Sequence, residues 1–244
     1  MALHFVVDAP LTEAVGGLLT LTGAEAHHAA TVRRVRVGET VTVGDGAGVW
    51  TTGTVESTGP RAVGIRVIAH EEVPRAVPRL VLVQALAKGG RDESAVQAAT
   101  ELGVDEVVPW QAARSVSRWD AAKAVKGVAR WSGIVREAAK QAHRTWIPAV
   151  GAPVTTGALA ARAGARMLVL DPTADAALTS VELDAADSRD LVLVVGPEGG
   201  IAPEELDALG AAGATAVRLG DTVLRSSTAG PAALAVLNGR LGRW

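Results

Sequence analysis

Hydrophobic and polar positions change their rhythm partway along the chain. Up to about residue 70, short β-prone runs at Phe5–Val7, Val41–Val43, Val49–Val55 and Val63–Ile68 are separated by turn residues such as Gly44-Asp45-Gly46 and Thr58-Gly59-Pro60. A helix is predicted between the first two runs, from about Gly23 to Val35. Glu25 lies near its start and Arg33 and Arg34 near its end, as the helix dipole favours. These elements predict a small β-barrel with one helix over residues 1–72. Residues 73–79 hold Pro74 and Pro78, which favour extended backbone, and read as a linker. From Leu80 onward, uninterrupted apolar runs alternate with helical segments: Leu80–Ala85, Met167–Leu170, Leu191–Val195 and Ala216–Leu219. Unbroken runs of that length mark strands buried on both faces, and so a parallel sheet flanked by helices over residues 80–244. Helices are predicted from an Asp92 cap to Leu102, over roughly Ser117–Thr145, from Pro203 to Gly210, and from Thr228 or Pro231 to Asn238.

Composition narrows the function classes. A hydrophobic fraction of 48% over 244 residues supports a large core. No apolar run approaches the ~18 residues needed to span a bilayer, and the first ten residues lack the pattern of a signal peptide, so a cytoplasmic protein is expected. The absence of cysteine excludes disulfides, thiolate zinc sites and cysteine nucleophiles. His27-His28 alone is no metal site, since adjacent helical residues do not share a face; no metal is expected. With a net charge of −2, any nucleic-acid surface must be local. One such stretch exists. Between Trp110 and Trp146 stand Arg114, Arg118, Lys123, Lys126, Arg130, Arg136, Lys140 and Arg144 against only Asp120 and Glu137, with Trp119 and Trp131 among them. Cations attract phosphate and aromatic faces stack bases, although an amphipathic helix with buried tryptophans reads the same way.

Two segments carry candidate chemistry. Val194-Val195-Gly196-Pro197-Glu198-Gly199-Gly200 takes a buried strand directly into a loop with three glycines. In open α/β sheets ligands sit at the carboxyl ends of strands, and glycine lets backbone approach them closely. The loop is neither a dinucleotide fingerprint nor a phosphate loop of the Walker type. About twenty residues later, Arg218-Leu219-Gly220 ends a second strand, and Asp221-Thr222-Val223-Leu224-Arg225 leads to Ser226, Ser227 and Thr228. Ser227 or Thr228 is expected to cap the last helix.

Together these segments resemble the two cofactor loops of the SPOUT RNA methyltransferases, in particular the ribosomal small-subunit methyltransferase E family. His27-His28-Ala29 with Val32-Arg33 and Gly38-Glu39, Thr100-Glu101-Leu102-Gly103-Val104, and Arg130-Trp131 with Glu137-Ala138, Gln141 and Arg144 resemble further family segments, so the likeness spans nearly the whole chain. It implies a PUA-like RNA-binding first domain and a trefoil-knotted parallel sheet behind it. It also implies a homodimer, and methylation of N3 of one uridine (uracil1498) in 16S ribosomal RNA, within the small ribosomal subunit, by S-adenosylmethionine (SAM). The cofactor would contact Leu170, Gly196, Pro197, Gly199, Gly200, Ile201, Leu219, Gly220, Val223, Leu224, Ser226 and Thr228. RNA would meet Arg33, Arg34, Arg114, Arg118, Arg130, Arg136, Lys140 and Arg144. Arg225 would oppose negative charge on the uracil, and Glu198 would accept the N3 proton or orient the group that does. The chain departs from the family at Ser227, where an acidic residue is frequent, and at His4, where the family tends to have arginine. Competing readings are a non-catalytic RNA-binding or ribosome-assembly factor, a SPOUT enzyme acting on another RNA, and an α/β enzyme with a nucleotide cofactor.

Overall fold

The computed structural model describes residues 2–162, 164–184 and 186–244. The chain divides into two compact units. The first comprises Met1–Arg75 together with Ala139–Ile147, so a segment that the sequence assigns to the second domain packs with the first. Its strands are β1 (Leu3–Val6), β2 (Leu18–Thr22), β3 (Thr40–Gly44), β4 (Val49–Thr58) and β5 (Ala62–Glu72), in the sheet order β1-β3-β4-β5-β2. β1 and β3 run parallel, and the other pairs are antiparallel. Alternation sends Phe5, Leu19, Leu21, Val41, Val43, Val55, Val63 and Ile65 inward, where they close over Ala26 and Ala29 of the helical segment.

That segment is shorter than predicted. Helix α1 (Gly23–His27) runs into one wider turn over His28–Val32, with the Arg33 amide donating to the His28 carbonyl five residues back. Arg34 then takes a left-handed backbone with φ 54° and ends it. The outlying Ala139–Ile147 segment is held by burial and charge. Lys140 Nζ donates to both Glu25 oxygens, at 2.6 and 2.9 Å, and lies 3.0 Å from His28 Nδ1. Trp146 lies over Gly48 and donates its indole N–H to the Val73 carbonyl at 2.8 Å.

The second unit comprises Ala76–Ala138 and Pro148–Trp244. In chain order it holds β6 (Leu80–Ala85), α2 (Arg91–Glu101), β7 (Glu106–Trp110), most of α3 (Ala121–Gln141), β8 (Ala149–Val150), α4 (Thr156–Ala160), β9 (Arg166–Leu170), β10 (Leu191–Val195), α5 (Pro203–Ala211), β11 (Thr215–Val217) and α6 (Ser226–Arg240). The six strands form a fully parallel sheet in the order β11-β9-β10-β6-β7-β8. Every residue of β6 and β10 is buried, as their apolar runs require, and the one polar member, Gln84 of β6, is buried with them. Val81, Val83, Val108, Trp110, Val169, Val192 and Val194 build the core on one face with Leu159 and Leu209. On the other face α6 packs on β10, β6 and α2. Gly230 of α6 abuts the Leu82 and Val195 side chains, so α6 approaches the sheet closely.

Beyond β11 the chain pairs with an earlier segment. The Arg218 amide donates to the Ala176 carbonyl and the Leu178 amide donates to the Arg218 carbonyl, both at 2.8 Å. The exit of β11 is thus laced to the excursion joining β9 to β10 before the chain returns as α6.

Candidate active site

At the carboxyl end of β10 the chain turns through Gly196–Ile201. Gly200 has φ +72°, a backbone that favours glycine, and a Cβ on Gly196 would stand 2.6 Å from Ile201 Cγ1. Gly199 lies against the loop after β7, its Cβ position 3.3 Å from Arg114 Cβ. Pro203 and the carboxylate of Glu205, which accepts from the Ala202 amide at 3.3 Å, start α5. The carboxyl end of β11 leads into Arg218–Arg225. There the Arg218 guanidinium donates to the carbonyls of Ala174 (2.8 Å) and Asp175 (2.5 Å), fixing this loop to the one that follows β9.

These strand tips enclose a cavity of about 710 Å³. Of the residues the sequence singles out, Leu170, Gly196, Pro197, Gly200, Ile201, Leu219, Gly220, Val223, Leu224 and Ser226 line it, with Glu198 and Arg225. Gly199 and Thr228 do not. Gly199 lies against Arg114, and Thr228 is exposed in the first turn of α6. Sequence reasoning missed Arg91, Asp171, Pro172, Thr173, Arg218, Thr222 and Ala229. Asp171–Thr173 directly follow β9, so the strand-tip rule that singled out the glycine loop applies to them as well.

Several local expectations need correction. Helix α6 starts at Ser226, with Arg225 flanking it and no side-chain cap, so neither Ser227 nor Thr228 is the cap. Ser226 Oγ is buried without a hydrogen-bond partner among the described residues. Asp92 lies inside α2, whose flanking residue is Gly90 at φ 72°; its carboxylate accepts from the Ala87 and Glu93 amides. Burial pushes the Asp92 carboxyl above its ordinary pKa, and those amide bonds pull it back. Glu198 faces the start of α2. Its Oε1 accepts from the Lys88 amide at 3.2 Å and from Arg91 Nη1 at 3.1 Å. Arg225 is exposed at the cavity with no side-chain partner among the described residues.

The basic stretch is sorted by burial. Arg33 and Arg34 are exposed on the first unit, and Arg114, Arg118 and Arg130 on the second. Arg118 donates to the Ala113 carbonyl at 2.8 Å, and Arg130 pairs with Glu93. Arg136 and Arg144 are half-buried. Lys140 is buried at 7% exposure against Glu25, which removes it from any RNA surface: a cation taken out of water needs a fixed counter-charge. The tryptophans are structural as well. Trp110 and Trp131 are buried, Trp119 meets Trp131 edge-on, and Trp146 is covered by Arg75. Among the described residues no cluster of metal-ligating side chains occurs, and no helix is long and apolar enough to cross a membrane.

A parallel sheet whose glycine loops close one cavity, joined to a small β-sheet unit, defines an RNA methyltransferase of the SPOUT-like class. An RNA methyltransferase domain model matches residues 74–238, and an RNA methyltransferase PUA domain model matches residues 21–68. The chain belongs to the ribosomal RNA small subunit methyltransferase E family. It is 45% identical to the Mycobacterium bovis member over all of this chain and 94% of that one, and 34% identical to the Synechocystis member over 99% and 78%. A solved structure of the Neisseria gonorrhoeae member, bound to S-adenosyl methionine, is 26% identical, covers 98% of both chains and superposes with a TM-score of 0.86.

Proposed function

We propose that this chain transfers the methyl group of SAM to N3 of a uridine in the 16S ribosomal RNA of the small subunit, the position equivalent to uracil1498, and that it does so in the cytoplasm as a homodimer. The observation that carries the reading is the convergence of both glycine loops on one cavity that Arg225 also lines. The residues present fit the cofactor. The volume lies within the roughly 300–1,000 Å³ of small-molecule sites. Gly196 and Gly200 carry no side chain that would keep a ligand from the backbone, and Leu170, Leu219 and Leu224 offer apolar surface to an adenine ring. The bound cofactor would supply an electrophilic methyl on sulfonium; the protein supplies alignment, exclusion of water and charge.

N3 of uracil carries a weakly acidic proton, and its loss leaves negative charge on the ring. Arg225 is the exposed guanidinium that meets that charge. Glu198 commits Oε1 to the Lys88 amide and Arg91, which leaves Oε2 to accept the N3 proton or to orient the group that does. N3 lies on the Watson–Crick edge, so the uridine enters unpaired or flipped out. Arg33, Arg34, Arg114, Arg118, Arg130, Arg136 and Arg144 supply the RNA contacts. Val223, 80% exposed at the cavity, supports a second copy of the chain as its cover.

The test is methylation of small-subunit RNA in vitro, with the modified atom located by mass spectrometry. Wild type should modify N3. Arg225→Ala should lose on the order of 100-fold in kcat with SAM affinity unchanged, because the charge it meets exists only during reaction. A methyl group on a ribose, or an Arg225→Ala enzyme as fast as wild type, overturns the reading.

A further inference from the structure

We infer that Arg91 and Arg114 form a phosphate subsite on the solvent side of the cavity, which grips the RNA backbone next to the uridine that enters it. The inference rests on the reading above. Both guanidiniums line the cavity, yet they arrive from different elements, Arg91 from the start of α2 and Arg114 from the loop after β7. The glycine loop brings them together. Arg91 Nη1 donates to Glu198 Oε1 at 3.1 Å, and Arg114 Nη1 donates to the carbonyl of the next residue, Gly199, at 3.3 Å. Each contact uses a single N–H of a five-donor fork. Among the described residues nothing else bonds either guanidinium, so most of both forks is free.

The mounting is stiff, as a recognition site requires. Glu205 is buried at 7% exposure, and its Oε1 accepts from the Ala113 amide at 2.9 Å and from Thr156 Oγ1 at 2.5 Å. The backbone just before Arg114 is thereby pinned to the first turn of α5. Arg118 ties down the Ala113 carbonyl from the other side. At Gly199 a side chain would press on Arg114 Cβ and its carbonyl, so the approach of the two loops depends on glycine there.

Planar guanidiniums held in fixed positions match phosphate oxygens in a two-pronged fashion, and little motion is lost when they bind. Exposure decides which anion they take. Arg91 keeps 39% of its side-chain surface and Arg114 is exposed, whereas Val195 and Val217, deeper in the same cavity, are buried. A base enters the depth while its phosphates stay at the rim, where contacts set position rather than sequence. The carboxylate of the cofactor is the other anion such a pair could take.

The experiment separates the two. An oligoribonucleotide carrying the target uridine is compared with one whose neighbouring linkages are neutral methylphosphonates, using binding by fluorescence anisotropy and turnover as readouts. For wild type the neutral linkage should weaken binding about 10-fold, the scale of one charge-assisted contact. Arg91→Ala and Arg114→Ala should each raise KM for the natural RNA about 10-fold. Both should be nearly indifferent to the neutral linkage, and each should lower the salt slope of binding by about one. SAM affinity and kcat at saturating RNA should hold. A loss of SAM affinity with RNA binding intact assigns the anion to the cofactor and overturns the subsite. So does an equal methylphosphonate penalty in wild type and variants. A wild type that binds the oligonucleotide, discriminates against the neutral linkage and leaves N3 unmethylated overturns the assigned reaction while upholding the subsite.

Discussion

His4 is a buried ring whose surroundings fix both its position and its charge. The ring is 6% exposed, stacks on Trp50 with centroids 4.2 Å apart, and shares a 3.0 Å hydrogen bond between Nδ1 and Thr42 Oγ1. Burial, then the neighbouring charges of His143 and Lys140, lower its pKa from 6.5 to about 4. The folded protein therefore holds His4 neutral where the unfolded chain would protonate it. Stability from this group is complete above about pH 6.5 and falls as the pH drops toward 4, by up to about 3 kcal/mol. Urea unfolding at pH 7 and pH 5 should register that loss in wild type and much less of it in His4→Gln; equal pH sensitivity in both would assign the effect elsewhere. Gly196 makes a second residue-scale prediction. Alanine there overlaps Ile201, so Gly196→Ala should cost about 1–3 kcal/mol in stability or weaken SAM binding by about 10-fold, read by thermal melts and calorimetry. The glycine itself was legible from its place after a strand. Its tight partner was not, because the distance to Ile201 exists only once the loop has closed.

Among the elements, the strands that read plainly in the sequence are those whose burial pattern is pure. Leu80–Ala85 and Leu191–Val195 are observed with the predicted ends. β7 was hidden by Pro109, a residue that normally argues against an interior strand, and β8 by its two-residue length. β2 alternates well, with Leu19 and Leu21 inward, but it is short and lies between glycines. Helix α3 shows what charge counting cannot resolve. Its basic residues share one sequence pattern, yet Arg130 is exposed and Lys140 is buried against Glu25. Composition cannot separate them, since the partner lies 115 positions away. Lys140→Ala leaves Glu25 without its cation and should destabilise by roughly 3 kcal/mol. The salt slope of RNA binding should stay unchanged, and adding Glu25→Gln should recover part of the stability. A changed salt slope would return Lys140 to the RNA surface.

On the scale of the whole molecule, the sequence divides the chain once, at residues 73–79, whereas the units exchange chain a second time through Ala139–Ile147. Nothing local announces such an exchange, because hydrophobic rhythm reports an element's type and not its destination. The first unit consequently is not a contiguous piece. A fragment ending at Arg75 lacks Lys140 for Glu25 and Trp146 for Gly48. It should melt without a cooperative transition, and supplying residues 139–147 on a linker should restore one, as followed by circular dichroism. A sharp transition in the bare fragment would make that segment dispensable.

The lining of the cavity runs from Arg91 to Ala229, more than half of the polypeptide. Synthesis proceeds from the amino end, so a growing chain carries both glycine turns and the lacing at Arg218 only once Gly220 has been added. Truncation products and stalled nascent chains that end before Ser226 therefore have no closed chamber in which to hold a donor. Competence for chemistry arrives with α6, which brings Ser226 and Ala229 to the lining.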